Sequence, residues 1–280
     1  MPLDGFIPFR AYKLPLYECT TSRIVARTPR ASLAMALLKR PESIQAMMAE
    51  AGRSVIAYAK EGGDETKICS VEVPIPVTGG TELDDWPGGI RQKYSVLRSM
   101  TMEMMKVMNF TTSEMEVRNF LGQFGEDDAV GIWQSEEMRI SVIVFPNPDC
   151  INAIKNMLRN DNDVIVLVNQ QFFSGQNFNE DKAQLEFIES NTKIVYMYEV
   201  QNQKGPGTPP LPVRGLLYRK YPEDFTVTRK LDNGDQVILR NFKEKPPTRE
   251  QLENIFFEDS KERDKDLSLI DRLKKQVPKV

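Results

Sequence analysis

Lys67–Tyr94 reads KICSVEVPIPVTGGTELDDWPGGIRQKY. Ile68–Val73 is a short apolar run of the kind that forms a buried strand. Pro74 and Pro76 end it, because proline removes a ladder donor. Gly79-Gly80 and the acids Glu82, Asp84 and Asp85 then make a loop. Trp86-Pro87-Gly88-Gly89 leads into Ile90–Met108, where Tyr94, Leu97, Thr101, Met104, Met105 and Met108 recur near helical spacing. A strand, a loop and a long amphipathic helix in this order are the first half of a crossover unit.

The same alternation continues outward. Upstream, Pro41 and Glu42 suit a helix start. Ile44, Met47, Met48, Ala51, Val55 and Tyr58 form an apolar face up to Gly62-Gly63. Downstream, Ser113–Phe124 reads as a short amphipathic piece and Ala129–Trp133 as a short strand. Arg139–Phe145 is a clear strand ending at Pro146-Asn147-Pro148, and Asp149 is placed to cap a helix over Cys150–Leu158. Val164–Val168, VIVLV, is uninterrupted by polar residues, as a parallel strand buried on both faces should be. A helix over Asn179–Glu189 and a strand over Lys193–Val200 follow.

After the loop Gln203–Pro212 the pattern changes to three strands, Gly215–Tyr221, Phe225–Leu231 and Gln236–Phe242. Asp232-Asn233-Gly234-Asp235 is a hairpin signal between the last two. Pro247–Phe257 closes the series as a helix capped by Thr248, with Leu252, Ile255 and Phe256 inward. The predicted fold is α/β: a Rossmann-like, mostly parallel sheet flanked by helices and extended by C-terminal antiparallel strands.

Composition narrows the chemistry. The 280-residue chain is 28% charged with a net charge of −3, so it carries no general signal for nucleic acid. No apolar run reaches the ~18 residues of a membrane span. It contains no histidine, which excludes Ser-His-Asp, Cys-His and histidine-zinc chemistry. Its three cysteines, Cys19, Cys69 and Cys150, are far apart and suggest neither a disulfide framework nor a metal pair. Free thiols suit a reducing compartment. No phosphate-loop or dinucleotide glycine pattern is present, and no cofactor is expected.

Three segments follow. Residues 1–40 have no acid between Glu18 and Glu42 but several arginines, as in an N-terminal targeting segment; an apolar docking arm is the alternative. Residues 41–258 read as a single α/β domain. Residues 259–280 mix acids and bases as a charged C-terminal tail, either solvated or docking through Leu267, Ile270, Leu273 and Val277.

The ordered series PESIQAMMAEAGRSVIAYAKEG, ICSVEVPIP, DWPGGIRQKY, VIVFPNP, VIVLVNQQF, VYMYEVQNQKG, GLLYRKYPEDFTV and PPTREQLENIFF resembles the plastid and cyanobacterial domain-of-unknown-function 1995 family. That family includes the low-photosystem-II-accumulation assembly factors of chloroplasts. Relatives commonly carry a Tyr-Pro-Gly-Pro-Trp-like segment after an arginine. Here Arg219, Tyr221 and Pro222 match, while Phe225 stands where the tryptophan would be. The resemblance implies a chloroplast protein of the stroma or the stromal face of the thylakoid. Photosynthetic membrane-complex proteins, such as photosystem subunits or other assembly factors, are its implied partners. It implies no catalytic mechanism.

Ligands in open α/β sheets gather at the carboxyl ends of strands. Glu72, Asn147, Asp149, Asn169 and Gln170 fall at those predicted ends, with the loop residues Asp84, Asp85, Trp86, Gly88 and Gly89 on the same side and Arg91 and Tyr94 just beyond. Arg214, Arg219 and Tyr221 flank the antiparallel segment and are candidate partner contacts. Packing of the loop, a partner surface and a small-ligand site remain open alternatives. So do three functions: a non-enzymatic factor assisting a photosynthetic complex, a stoichiometric peripheral subunit or linker of such a supercomplex, and an enzyme or binder of a phosphorylated or nucleotide-like small molecule.

Overall fold

The short run Ile68–Val73 and the uninterrupted apolar run Val164–Val168 lie side by side at the centre of the sheet. β1 (Ile68–Glu72) and β5 (Val164–Val168) pair in parallel, Ile68 opposite Ile165 and Val71 opposite Val168. β4 (Ile140–Val144) runs parallel to β5 on its far side, and β6 (Thr192–Lys204) runs parallel to β1. The side chains of β1, β4 and β5 are almost all buried, which is why these strands lack the alternation of a half-exposed sheet. The computed structural model describes residues 38–61, 68–76, 89–111, 118–119, 129–158, 164–172, 182–204, 212–231 and 233–261. The expected N-terminal segment and the charged tail lie outside these, apart from 38–40 and 259–261. So do Asp84, Asp85, Trp86, Gly88 and most of 113–124.

Antiparallel strands extend both edges. β2 (Arg118–Asn119) and β3 (Gly131–Ser135) join β4; β7 (Pro212–Lys220), β8 (Phe225–Lys230) and β9 (Gln236–Phe242) join β6. The nine-stranded order is β2-β3-β4-β5-β1-β6-β7-β8-β9. This is the expected architecture, with the parallel part confined to β4-β5-β1-β6. The hairpin signal holds, with Gly234 at φ 91 between β8 and β9. Leu38 donates its N–H to the Gln236 carbonyl at the start of β9.

Side-chain alternation divides the core into two layers. Cys69 and Val71 join the layer under α1 (Ile44–Glu61) and α2 (Gly89–Val107). Met100, Met104, Met105 and Met108 are buried there, so the methionine cluster fills the core between helices and sheet. Ile68 and Ile165 join the opposite layer, under α3 (Ile151–Met157) and α4 (Lys182–Asn191). On that same face Leu217, Phe225 and Val227 pack against Leu252, Ile255 and Phe256 of α5 (249–261).

Helix starts differ from the sequence reading in instructive ways. α1 begins at Ile44, because the Ser43 hydroxyl accepts the Ala46 N–H at 3.1 Å; Pro41 lies before the helix. Pro148–Cys150 is a 3-10 turn leading into α3, and Asp149 makes no capping bond. Thr248 does cap α5: its hydroxyl accepts the Gln251 N–H at 3.2 Å, while Gln251 Oε1 accepts the Thr248 N–H at 2.8 Å. α2 opens at Gly89, whose φ of +62 is costly for any residue with a Cβ.

The α1–α2 contact turns on Gly52, where a Cβ would sit 2.9 Å from the Met104 carbonyl oxygen and 3.3 Å from Val107 Cβ. Gly52→Ala gains about 1 kcal/mol of helix propensity but loses about 1–3 kcal/mol to overpacking. The expected net effect in urea unfolding is destabilisation; a more stable variant would mean the helices do not meet this closely.

Candidate functional site

The carboxyl ends of the parallel strands are tied together by one asparagine. Asn169 follows β5 with φ +49, a conformation asparagine tolerates better than most residues. Its Oδ1 accepts the Val73 N–H at 2.9 Å and its Nδ2 donates to the Val73 carbonyl at 2.8 Å. Its own N–H donates to the Val71 carbonyl. The side chain thus continues the β1–β5 ladder past the point where Pro74 would stop it. Asn147, after β4, accepts the Cys150 N–H through its carbonyl, and its Oδ1 lies 3.1 Å from the Cys150 thiol.

Beside this clamp lies Glu72. Its backbone register places it opposite Met197 of β6, and Met197 opposite Arg219 of β7. The three form one row across the α4–α5 face of the sheet. Burial pushes the Glu72 carboxyl up to about 8, with Glu199 nearby raising it further; hydrogen bonds from the Gln170 backbone and side chain oppose the rise. Glu72 Oε1 and Gln170 Oε1 are shielded from solvent and have no hydrogen-bond partner.

Arg219, at the end of this row, lines a groove of about 1050 Å³ between the end of α4 and the segment after β9. Thr192, Ile194 and Arg219 form its floor, and Tyr221, Lys243 and Lys245 stand along its rim. Arg219 is 3% exposed. Its guanidinium lies 4.3 Å from the Phe225 ring centroid and 5.9 Å from that of Tyr221. Nη1 donates weakly to the Glu244 carbonyl at 3.5 Å, and Nε has no partner. Burial lowers its pKa, against the pull of Tyr221 and Asp224.

On the opposite face a tyrosine seam joins the sheet to α1. The Tyr218 and Tyr196 hydroxyls donate to Glu50 Oε2 at 2.7 and 3.3 Å. Burial is the main cause that raises both phenols. Tyr221 donates a short bond to Glu61, which raises its phenol to about 12. Its ring meets Tyr58 edge-on at 5.7 Å, with Lys193 Nζ 4.8 Å from its centroid.

The residues singled out in the sequence are therefore dispersed. Arg219 and Tyr221 meet, and Gln170 lines the same groove. Gly89 and Arg91 are exposed at the start of α2, whereas Tyr94 is buried where Gly131 leaves room for its hydroxyl beside Trp133. Arg214 is exposed on β7. Phe225 is fully buried under Arg219, so the position that carries tryptophan in relatives is a packing site here. Thr192, Lys243 and Lys245 had no sequence signal, because only the strand register brings them together. Among the described residues no group of three or more His, Cys, Asp or Glu is placed to hold a metal ion.

Two outcomes follow from the strand ends. Asn169→Ala removes two hydrogen bonds at about 1 kcal/mol each and leaves alanine with a positive φ, so a loss of roughly 2–3 kcal/mol is expected in chemical denaturation. Glu72 holds its proton more tightly folded than unfolded. Stability should thus be fullest below pH 4.5 and decline as pH rises towards about 8. Glu72→Gln should flatten that decline in melting-temperature profiles; an unchanged slope would show that Glu72 is not the group responsible.

No match is found among curated proteins or among solved structures. Residues 41–254, spanning β1 to β9, match the family described as a domain of unknown function, DUF1995. The chain belongs to the DUF1995 family.

Proposed function

We propose that this protein is a non-enzymatic plastid factor that assists the assembly or stability of a photosynthetic membrane complex, of the photosystem II biogenesis kind, by protein–protein contact at the stromal face. The family resemblance supports the setting. The observation that carries contact over chemistry is the groove between α4 and the segment after β9. It is open, about 1050 Å³, and rimmed by the exposed Lys243 and Lys245 and the half-exposed Tyr221. Tyrosine and basic side chains beside a concave surface are the composition of a recognition site.

Any membrane association in this reading is peripheral: among the described residues no helix is long and apolar enough to cross a bilayer. Cys69 is a free, buried thiol, as suits a reducing stroma.

Crosslinking mass spectrometry on intact thylakoids is expected to join Lys243 or Lys245 to a photosystem subunit or another assembly factor. A null mutant is expected to accumulate less of the complex. Free stromal protein, with normal photosystem levels in the null mutant, would refute the proposal. Abundance equal to that of the mature complex would instead favour a stoichiometric subunit.

A further inference from the structure

We infer that the groove beside Arg219 receives an extended acidic segment of a partner protein, with an Asp or Glu carboxylate of that segment pairing with the Arg219 guanidinium. This deepens the contact reading above and rests on it. Arg219 is 3% exposed, and no carboxylate lies within ion-pair distance among the described residues. A buried charge without a counter-ion is costly, and pairing relieves that cost. The acids on the groove, Glu189, Asp224 and Glu244, are exposed, where water weakens their pull.

The guanidinium is presented for a carboxylate. Its plane is held over Phe225, and Nη1 is turned to the Glu244 carbonyl. Nε is shielded from solvent and has no hydrogen-bond partner, so the buried guanidinium keeps an unmet donor, the kind of group a carboxylate satisfies. Lys243 and Lys245 make no ion pair among the described residues and add positive charge at the mouth.

The shape selects a peptide over a small anion. At about 1050 Å³ the groove is far larger than a lone carboxylate, and its floor runs from Thr192 and Ile194 of β6 to Arg219 of β7. Thr192 Oγ1 and Gln170 Oε1, both on residues that line it, are shielded and unpartnered. An extended backbone carries several N–H donors along its length, which a lone carboxylate does not.

The test is fluorescence anisotropy of the full chain with a labelled, end-blocked five-residue peptide of Asp and Glu alternating with Val. A lysine-for-acid peptide serves as control and glutarate as competitor. The acidic peptide is expected to bind, and to weaken as salt rises. Lys243→Glu with Lys245→Glu, both exposed and so compatible with folding, is expected to weaken binding at least about tenfold. Arg219→Lys, which keeps the charge but loses the fork, is expected to cost about tenfold. No binding at millimolar peptide, equal binding of the lysine peptide, or no effect of the lysine variants would overturn the inference. So would glutarate competing at the peptide's own concentration, since the site would then suit free carboxylates. If these results fail while thylakoid crosslinks persist, the groove assignment falls alone. If the peptide binds but thylakoid crosslinks are absent, the plastid reading falls instead.

Discussion

Everything in this fold depends on β1 being hydrogen-bonded in parallel on both edges. A strand between two parallel neighbours, β5 and β6, has no solvent-facing side. Its side chains are withdrawn from water, and Ile68, Cys69, Ser70 and Val71 are all fully buried. Its polar groups must be met within the ladder, since an unmet buried amide costs about 1–3 kcal/mol. Parallel neighbours cannot be joined by tight turns, so helices have to cross both faces. The positions of α1 and α2 on one face, and of α3 and α4 on the other, are consequences of that single pairing.

The same constraint creates the groove. α4 returns the chain from β5 to β6 and covers the parallel strands, whereas α5 covers the antiparallel wing from β7 outward. Two helices that belong to different parts of the sheet do not share a packing register. The floor between them, β6 and β7, is left with Ile194 and Arg219 facing the gap. Gly215 shows how tightly α5 is seated: a Cβ there would lie 2.7 Å from the Phe256 ring. α5 is thus fixed on the wing and is not free to slide over the groove.

Much of this was legible in the sequence, because local rules governed it. VIVLV announced a doubly buried strand, Asn233-Gly234 a hairpin, and Thr248 a capped helix. The loop at Lys67–Tyr94 announced its strand and its helix, although its Trp86 and acids lie outside the described residues. The groove was not legible, because it depends on register. The pairing of β1 with β6 shifts between Ser70 and Val71, and that irregularity sets which side chains of β6 face α4. Glu72 opposite Met197 opposite Arg219 is a relation among residues 72, 197 and 219, and no local pattern encodes it. Asn169 was legible as a strand-end polar residue, but its role in holding Val73 follows only from the parallel neighbour.

The absence of histidine throws the weight of any proton chemistry onto other groups, and their surroundings argue for holding over transforming. Burial raises the Tyr196 and Tyr218 phenols and the Cys69 thiol, so none of them ionises near neutral pH. Glu72, near 8, is poised to exchange a proton, but it is bound by Gln170 and has Met197 between it and the guanidinium. A carboxyl and a guanidinium two strands apart, roughly 10 Å by strand spacing, do not act on one reacting atom. A protonated Glu72 adds no negative charge to compete with an incoming carboxylate for Arg219. The burial that makes Glu72 a poor anion therefore leaves the charge of Arg219, two strands away, unopposed by it.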